Sequence, residues 1–188
     1  MTTTTKTRAA AATVTLPATT GRLAGKIAVI TGAAGNLGTE IVRHYVREGA
    51  IVIMTGRTPD RTEAARQAIL TETGAVPEQV ATATLDGADP ESVRAGIADI
   101  VSRFGHIDIL VNNAGSAGPK QLLEDVPLSK ADLLALQQAG SSDSETVSDA
   151  VRNIFGVIWN VARAAAPHMR PGGAMVNVST IFSRTPYY

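Results

Sequence analysis

Three glycines punctuate Thr31-Gly32-Ala33-Ala34-Gly35-Asn36-Leu37-Gly38, which joins an apolar run to an amphipathic helical stretch. Glycines at such a junction permit a tight turn and let a pyrophosphate approach backbone N–H groups. The helix N-terminus adds a favourable field for the anion. The segment departs from the Gly-x-Gly-x-x-Gly of other dinucleotide folds, and it lacks the Lys-Ser/Thr ending of a nucleotide-triphosphate loop. Gly32, Gly35, Asn36, Leu37 and Gly38 are therefore candidate cofactor residues. The second apolar run ends Met54-Thr55-Gly56-Arg57. An acidic residue there would grip the ribose 2′-hydroxyl of NAD, whereas an Arg matches the charge of the 2′-phosphate of NADP. Arg57 thus favours NADPH over NADH.

The elements that must position these residues follow from the apolar pattern. From Lys26 onward, β-type runs at Ile27–Thr31, Ala50–Thr55, Val80–Leu85, Ile107–Asn112 and Ala174–Ser179 alternate with helical patterns. Val93, Ile97, Ile100 and Phe104 fall at helical spacing and Gly105 stops that helix. Val147, Val151, Ile154, Ile158, Val161 and Ala165 draw a longer stripe, ended by Pro167. Near-continuous apolar strands separated by helices predict an α/β, Rossmann-like doubly wound parallel sheet with right-handed crossovers, truncated after the fifth strand. Gly118–Ser148 is long for a connection, and reads as an insertion: a solvated surface segment or a substrate-side flap. Residues 1–20 hold nine Thr and no acid, which predicts a disordered tail. No apolar h-region follows Lys6 and Arg8, so a secretory signal is not expected.

Composition narrows the function classes. The 188 residues carry 17 Lys+Arg against 17 Asp+Glu, which removes the electrostatic footprint of a nucleic-acid binder. The absence of Cys excludes disulfides, thiolate metal sites and a thiol nucleophile. His44, His106 and His168 are too widely separated in sequence to suggest a metal site. No apolar run is long enough to span a bilayer. A cytoplasmic protein acting on a small molecule, without metal, nucleic acid or membrane, is the expectation. Arg61, Glu63 and Arg66 read as a solvated helix face, Trp159 as core or interface, and His168 as a helix-end residue.

Further motifs sit at the ends of the later strands. Asp86 follows the third run, Asn112-Asn113-Ala114-Gly115 closes the fourth, and Val176-Asn177-Val178-Ser179-Thr180 closes the fifth. In this order, together with the glycine turn, they resemble the short-chain dehydrogenase/reductase family from Gly21 to the C-terminus. The resemblance implies that Asp86 hydrogen-bonds the adenine amino group. It also implies that Asn112, Ala114 and Gly115 belong to a turn that shores up the sheet and lines the adenosine side. Carbonyl reduction in that family uses hydride from the nicotinamide and a proton from a Tyr whose pKa is lowered by a Lys. A Ser or Thr hydroxyl polarises the carbonyl, and an Asn supports a relay water. The Asn aligns with Asn153. The hydroxyl is Thr180 by spacing to the expected Tyr, with Ser179 the alternative; strand alternation lets only one serve. Tyr187 and Tyr188 follow Thr180 too closely to match the family's Tyr, and no Lys follows Lys130.

Gly21-Arg22-Leu23-Ala24-Gly25-Lys26, Asp86-Gly87-Ala88-Asp89-Pro90, Asn112–Gly118 and Ser179–Arg184 also resemble the bacterial bifunctional malonyl-CoA reductases. Those are longer chains with two reductase halves, and the likeness is to the beginning of the first half. It implies NADPH-dependent reduction of malonic semialdehyde to 3-hydroxypropionate, a homodimer in the full-length protein, and a fragment here that lacks the Tyr/Lys pair and is inactive alone. Arg184 is the nearest cation for a substrate carboxylate. Two other readings stay open: a general short-chain reductase of ketones or 3-oxoacyl thioesters, and a non-catalytic nucleotide-binding module.

Overall fold

The computed structural model describes residues 18–115 and 155–179. Its elements are β1 (Ile27–Thr31), α1 (Asn36–Arg47), β2 (Ile51–Gly56), α2 (Pro59–Thr73), β3 (Val80–Thr84), α3 (Pro90–Phe104), β4 (Ile107–Asn112), α4 (Val157–Ala165) and β5 (Met169–Asn177). The strands form one parallel sheet in the order β3-β2-β1-β4-β5. Every residue of β1 is buried, because both faces of the sheet are covered. Ile27, Val29, Ile51 and Ile53 pack with Val93, Ile97 and Ile100 of α3 and with Val161 and Ala165 of α4. The alternate residues Ala28, Ile30, Val52 and Met54 pack with Val42 and Val46 of α1 and Ile69 of α2. That two-sided demand explains why these strands read as continuous apolar runs. The chain leaves β1 toward β2 on one side and returns to β4 on the other. The carboxyl ends of β1 and β4 therefore flank a crevice, the usual ligand position in such sheets.

The amino ends of β1 and β4 are tied by a buried carboxylate. Asp108 accepts the Ile27 amide at 2.9 Å and sits 3.2 Å from His106 Nε2 and 3.5 Å from Lys26 Nζ. Burial opposes its ionisation, but the amide, His106 and Lys26 more than offset that and hold the carboxyl below its ordinary value.

Several boundaries differ from the sequence reading. The fifth strand begins at Met169, not Ala174, because Met169 already pairs with Ile107. An irregularity between Ile107 and Ile109 then takes up Arg170–Gly173, with Gly172 at φ 81°. The strand ends at Asn177, so Val178 and Ser179 lie past it. The helical stripe buries Val157, Val161 and Ala165, while the expected Ile158 is only half-buried. Val147, Val151, Ile154 and the Gly118–Ser148 insertion lie outside the described residues. Pro167 falls in a 3-10 turn, Ala166–His168, directly after α4. Trp159 is 66% exposed and is not core. The expected tail boundary also moves: Thr19 donates to the Gly49 carbonyl at 2.6 Å and accepts the Gly25 amide at 3.0 Å. Among the described residues, no helix is long and apolar enough to cross a membrane.

Candidate functional site

A cleft of about 590 Å³ opens at the carboxyl ends of β1, β2, β3 and β4, a size suited to a small-molecule ligand. Its floor is the turn between β1 and α1. Gly32 holds φ 61°, and a Cβ there would lie 2.9 Å from the Ala114 Cα. A Cβ on Gly38 would lie 2.3 Å from the Gly32 carbonyl oxygen. Side chains are thus excluded at both points, one by backbone conformation and one by close approach. Gly35 is the N-cap of α1 and sets no side chain over the first-turn amides. Gly32, Gly35, Asn36, Leu37 and Gly38 all line the cleft, leaving a helix N-terminus open to an anion.

The wall at the end of β2 is cationic. Thr55, Gly56, Arg57, Thr58, Arg61 and Thr62 line it, and none is acidic. Arg61 was missed by the sequence reading, which placed it on a solvated face with Glu63 and Arg66. The structure separates the three. Arg66 pairs with Glu63 at 2.9 Å and caps the Val80 and Pro77 carbonyls at 2.5 and 2.9 Å. Arg61 instead lies in the first turn of α2 and donates to the Ala34 carbonyl at 3.3 Å, across the cleft floor. Pro59, at the helix start, was the signal that set Arg61 in that turn beside Arg57.

Asp86 forms the third wall. Its amide donates to Ser92 Oγ at 3.0 Å, and its Oδ1 accepts the Ala88 amide at 3.0 Å. It is therefore both a turn former and a cleft residue. The fourth wall is Asn113-Ala114-Gly115. Asn113 Nδ2 donates to the Thr31 and Gly32 carbonyls at 3.0 and 3.2 Å. The amides of Asn113 and Ala114 donate to Thr31 Oγ1 at 3.0 and 2.9 Å. Asn112 shores up the sheet and does not line the cleft. It is buried outside the cleft lining, and its Nδ2 donates to Asn177 Oδ1 at 2.8 Å, tying β4 to β5. Ser179 is exposed and is not among the lining residues. Asn153, Thr180 and Arg184 lie outside the described residues. Val157, which the sequence reading did not single out, and Val178, which it placed in the fifth strand, also line the cleft.

The donor set fits a phosphorylated adenine dinucleotide: an open helix N-terminus over side-chain-free backbone, two guanidinium groups at one end, and a carboxylate on the intervening wall. The short chain dehydrogenase family profile matches residues 26–188. L-fucose dehydrogenase of Oryctolagus cuniculus is 35% identical over 163 residues, covering 85% of this chain and 48% of the relative. Oxidoreductase UcpA of Escherichia coli (strain K12) is 33% identical over 163 residues, covering 86% and 54%. The chain thus spans about half the length of these curated relatives. Among solved structures, the N-domain of a bacterial malonyl-CoA reductase with NADP is 70% identical, with a TM-score of 0.79, over 89% of this chain and 31% of that one. L-sorbose reductase from Gluconobacter frateurii, complexed with NADPH and L-sorbose, is 27% identical with a TM-score of 0.69, over 88% and 56%.

Proposed function

The chain belongs to the short-chain dehydrogenase family, and from that membership we propose that it is the NADPH-binding portion of a reductase of malonic semialdehyde. The product is 3-hydroxypropionate, and the setting is a cytoplasmic, homodimeric bifunctional malonyl-CoA reductase. The observation that supports this reading is the 70% identity to a malonyl-CoA reductase N-domain across 89% of the chain.

Each residue has a place in that proposal. The turn Gly32–Gly38 and the first amides of α1 hold the pyrophosphate. Arg57 and Arg61 meet the 2′-phosphate as charge-assisted donors. Asp86 accepts from the adenine amino group, and Ala114 and Gly115 flank the adenosine. A bound nicotinamide supplies the hydride. Thr180, or Ser179 in its stead, donates a hydrogen bond to the substrate carbonyl oxygen, and Asn153 holds a relay water. No Lys follows Lys130, so these residues by themselves hold the hydride donor without the family's Tyr/Lys proton source.

Direct titration tests the binding half, and turnover tests the rest. The 188-residue chain binds NADPH more tightly than NADH and does not oxidise it with malonic semialdehyde. A charge-assisted hydrogen bond contributes about 1.5–3 kcal/mol, so Arg57→Ala lowers the NADPH:NADH preference roughly tenfold or more. A protein in which these residues are joined to a downstream Tyr/Lys pair reduces malonic semialdehyde faster than neutral ketones or 3-oxoacyl thioesters. Tighter NADH binding overturns the cofactor assignment, and equal rates across that panel overturn the substrate.

A further inference from the structure

The turn that carries Asp86 is held from behind by a helix remote in sequence. Asn160 Nδ2, on α4, donates to the Gly87 carbonyl at 3.0 Å across 73 residues of chain. A Cβ on Gly87 would lie 2.5 Å from Val157 Cγ1, so α4 is seated directly on the turn. On the near side, Ser92 and Ala88 fix the Asp86 amide and Oδ1. Oδ2 makes no hydrogen bond to the described residues and is the oxygen left for a ligand.

We propose that Asn160 is a positioning residue for purine recognition: its bond to the Gly87 carbonyl sets Asp86 Oδ2 where it accepts from a 6-aminopurine and repels a 6-oxopurine. The inference rests on the reading of Asp86 as the adenine acceptor. The chemistry follows from the two rings. A 6-amino group donates to a carboxylate, whereas a 6-oxo group places a second acceptor against it. Discrimination between them requires Oδ2 to be held in place. Ser92 and the Asp86–Ala88 turn brace only the near side, and the carbonyl that follows Asp86 is held by Asn160.

The test is titration of the chain with NADPH and with its hypoxanthine analogue, followed by the emission of the dihydronicotinamide. The wild-type chain prefers NADPH at least tenfold, and Asp86→Ala brings the ratio near one. Asn160→Ala, which removes the donor, and Asn160→Asp, which replaces it with an acceptor at constant size, each shrink the ratio at least threefold. Affinity for the hypoxanthine analogue stays within twofold. Asn160 is half-exposed, so both variants are compatible with folding. A ratio that Asp86→Ala abolishes but both Asn160 variants retain removes the proposal alone. Equal weakening of both nucleotides does the same, because a merely structural role moves them together. A wild-type ratio near one removes the Asp86 reading and the proposal with it.

Discussion

Replacing Thr31 by Val keeps the shape of the side chain and its β-branching, and removes only the hydroxyl. Thr31 is 1% exposed, and its Oγ1 accepts both the Asn113 and Ala114 amides. The substitution opens no cavity and leaves strand preference unchanged, so the cost falls on two N–H groups that lose their acceptor and on the Val111 carbonyl, which loses a long hydrogen bond of 3.4 Å. An unpaired buried donor costs about 1–3 kcal/mol. Both amides belong to half-buried residues, which places each in the lower half of that range, about 1–2 kcal/mol, or about 2–4 kcal/mol for the pair. Thr31→Ser is the control. It keeps the acceptor and gives up one methyl, a loss of about 1 kcal/mol. Urea unfolding monitored by far-ultraviolet circular dichroism reads both, since this signal does not depend on the exposed Trp159. NADPH affinity falls with Thr31→Val, because the Asn113–Gly115 wall loses its anchor. If Thr31→Val lies within about 0.5 kcal/mol of wild type, or Thr31→Ser is as damaging as Thr31→Val, the hydroxyl is not what holds that wall.

Two further outcomes follow from the same structure. Gly32 and Gly25 both adopt positive φ, 61° and 70°, but only Gly32 has a neighbour where a Cβ would go. Gly25→Ala therefore costs about 1 kcal/mol of backbone strain, while Gly32→Ala adds about 1–3 kcal/mol of overpacking against Ala114 and loses nucleotide binding. Thermal unfolding and NADPH titration of the pair check this. The carboxyl of Asp108 is held below its ordinary value in the folded chain, so its contribution is present above the unfolded-state pKa and is lost as pH falls through the folded one. Urea midpoints measured from about pH 5 downward decline in wild type. Asp108→Asn is less stable at neutral pH and shows a shallower decline; an unchanged slope refutes the assignment.

The alternation of sheet and helix was legible because β1 and β2 are buried along almost their whole length, so that apolar residues run on without a polar alternation. The glycine turn was legible for the same kind of reason: Gly32 and Gly38 stand where any side chain collides with backbone. Periodicity says which face of a helix is wet, but not which loop folds over it. Arg61 is solvent-exposed, as its helix face predicts, and its reach to Ala34 across the cleft was not legible. Asn112 and Asn113 are adjacent and chemically identical in sequence. β4 ends at Asn112, whose side chain meets Asn177 of β5, whereas Asn113 lies past the strand and turns to Thr31 and Gly32 at the cleft, so their roles diverge. The start of β5 was hidden because Pro171-Gly172-Gly173 carries a breaker signal, and only pairing of Met169 with Ile107 overrides it. Of the two places expected for Trp159, core or interface, exposure rules out the core, because a single large apolar residue beside a buried stripe does not declare its face.

The bond between Asn113 and Thr31 spans 82 residues, and it lies at the seam where β4 joins β1. Contacts of that separation come late in folding, because the intervening chain must first give up its loop entropy. The pairings of β1 with β2 and of β2 with β3 need only nearby chain, with α1 and α2 covering one face. The floor of the cleft then exists without its far wall. Only when β4 has emerged and slotted against β1 do Asn113 and Ala114 close on Thr31. The cleft is thus completed only when β4 lies beside β1, so a nucleotide that fills it stabilises the chain only after that pairing, the most distant in sequence among the described strands, has been made.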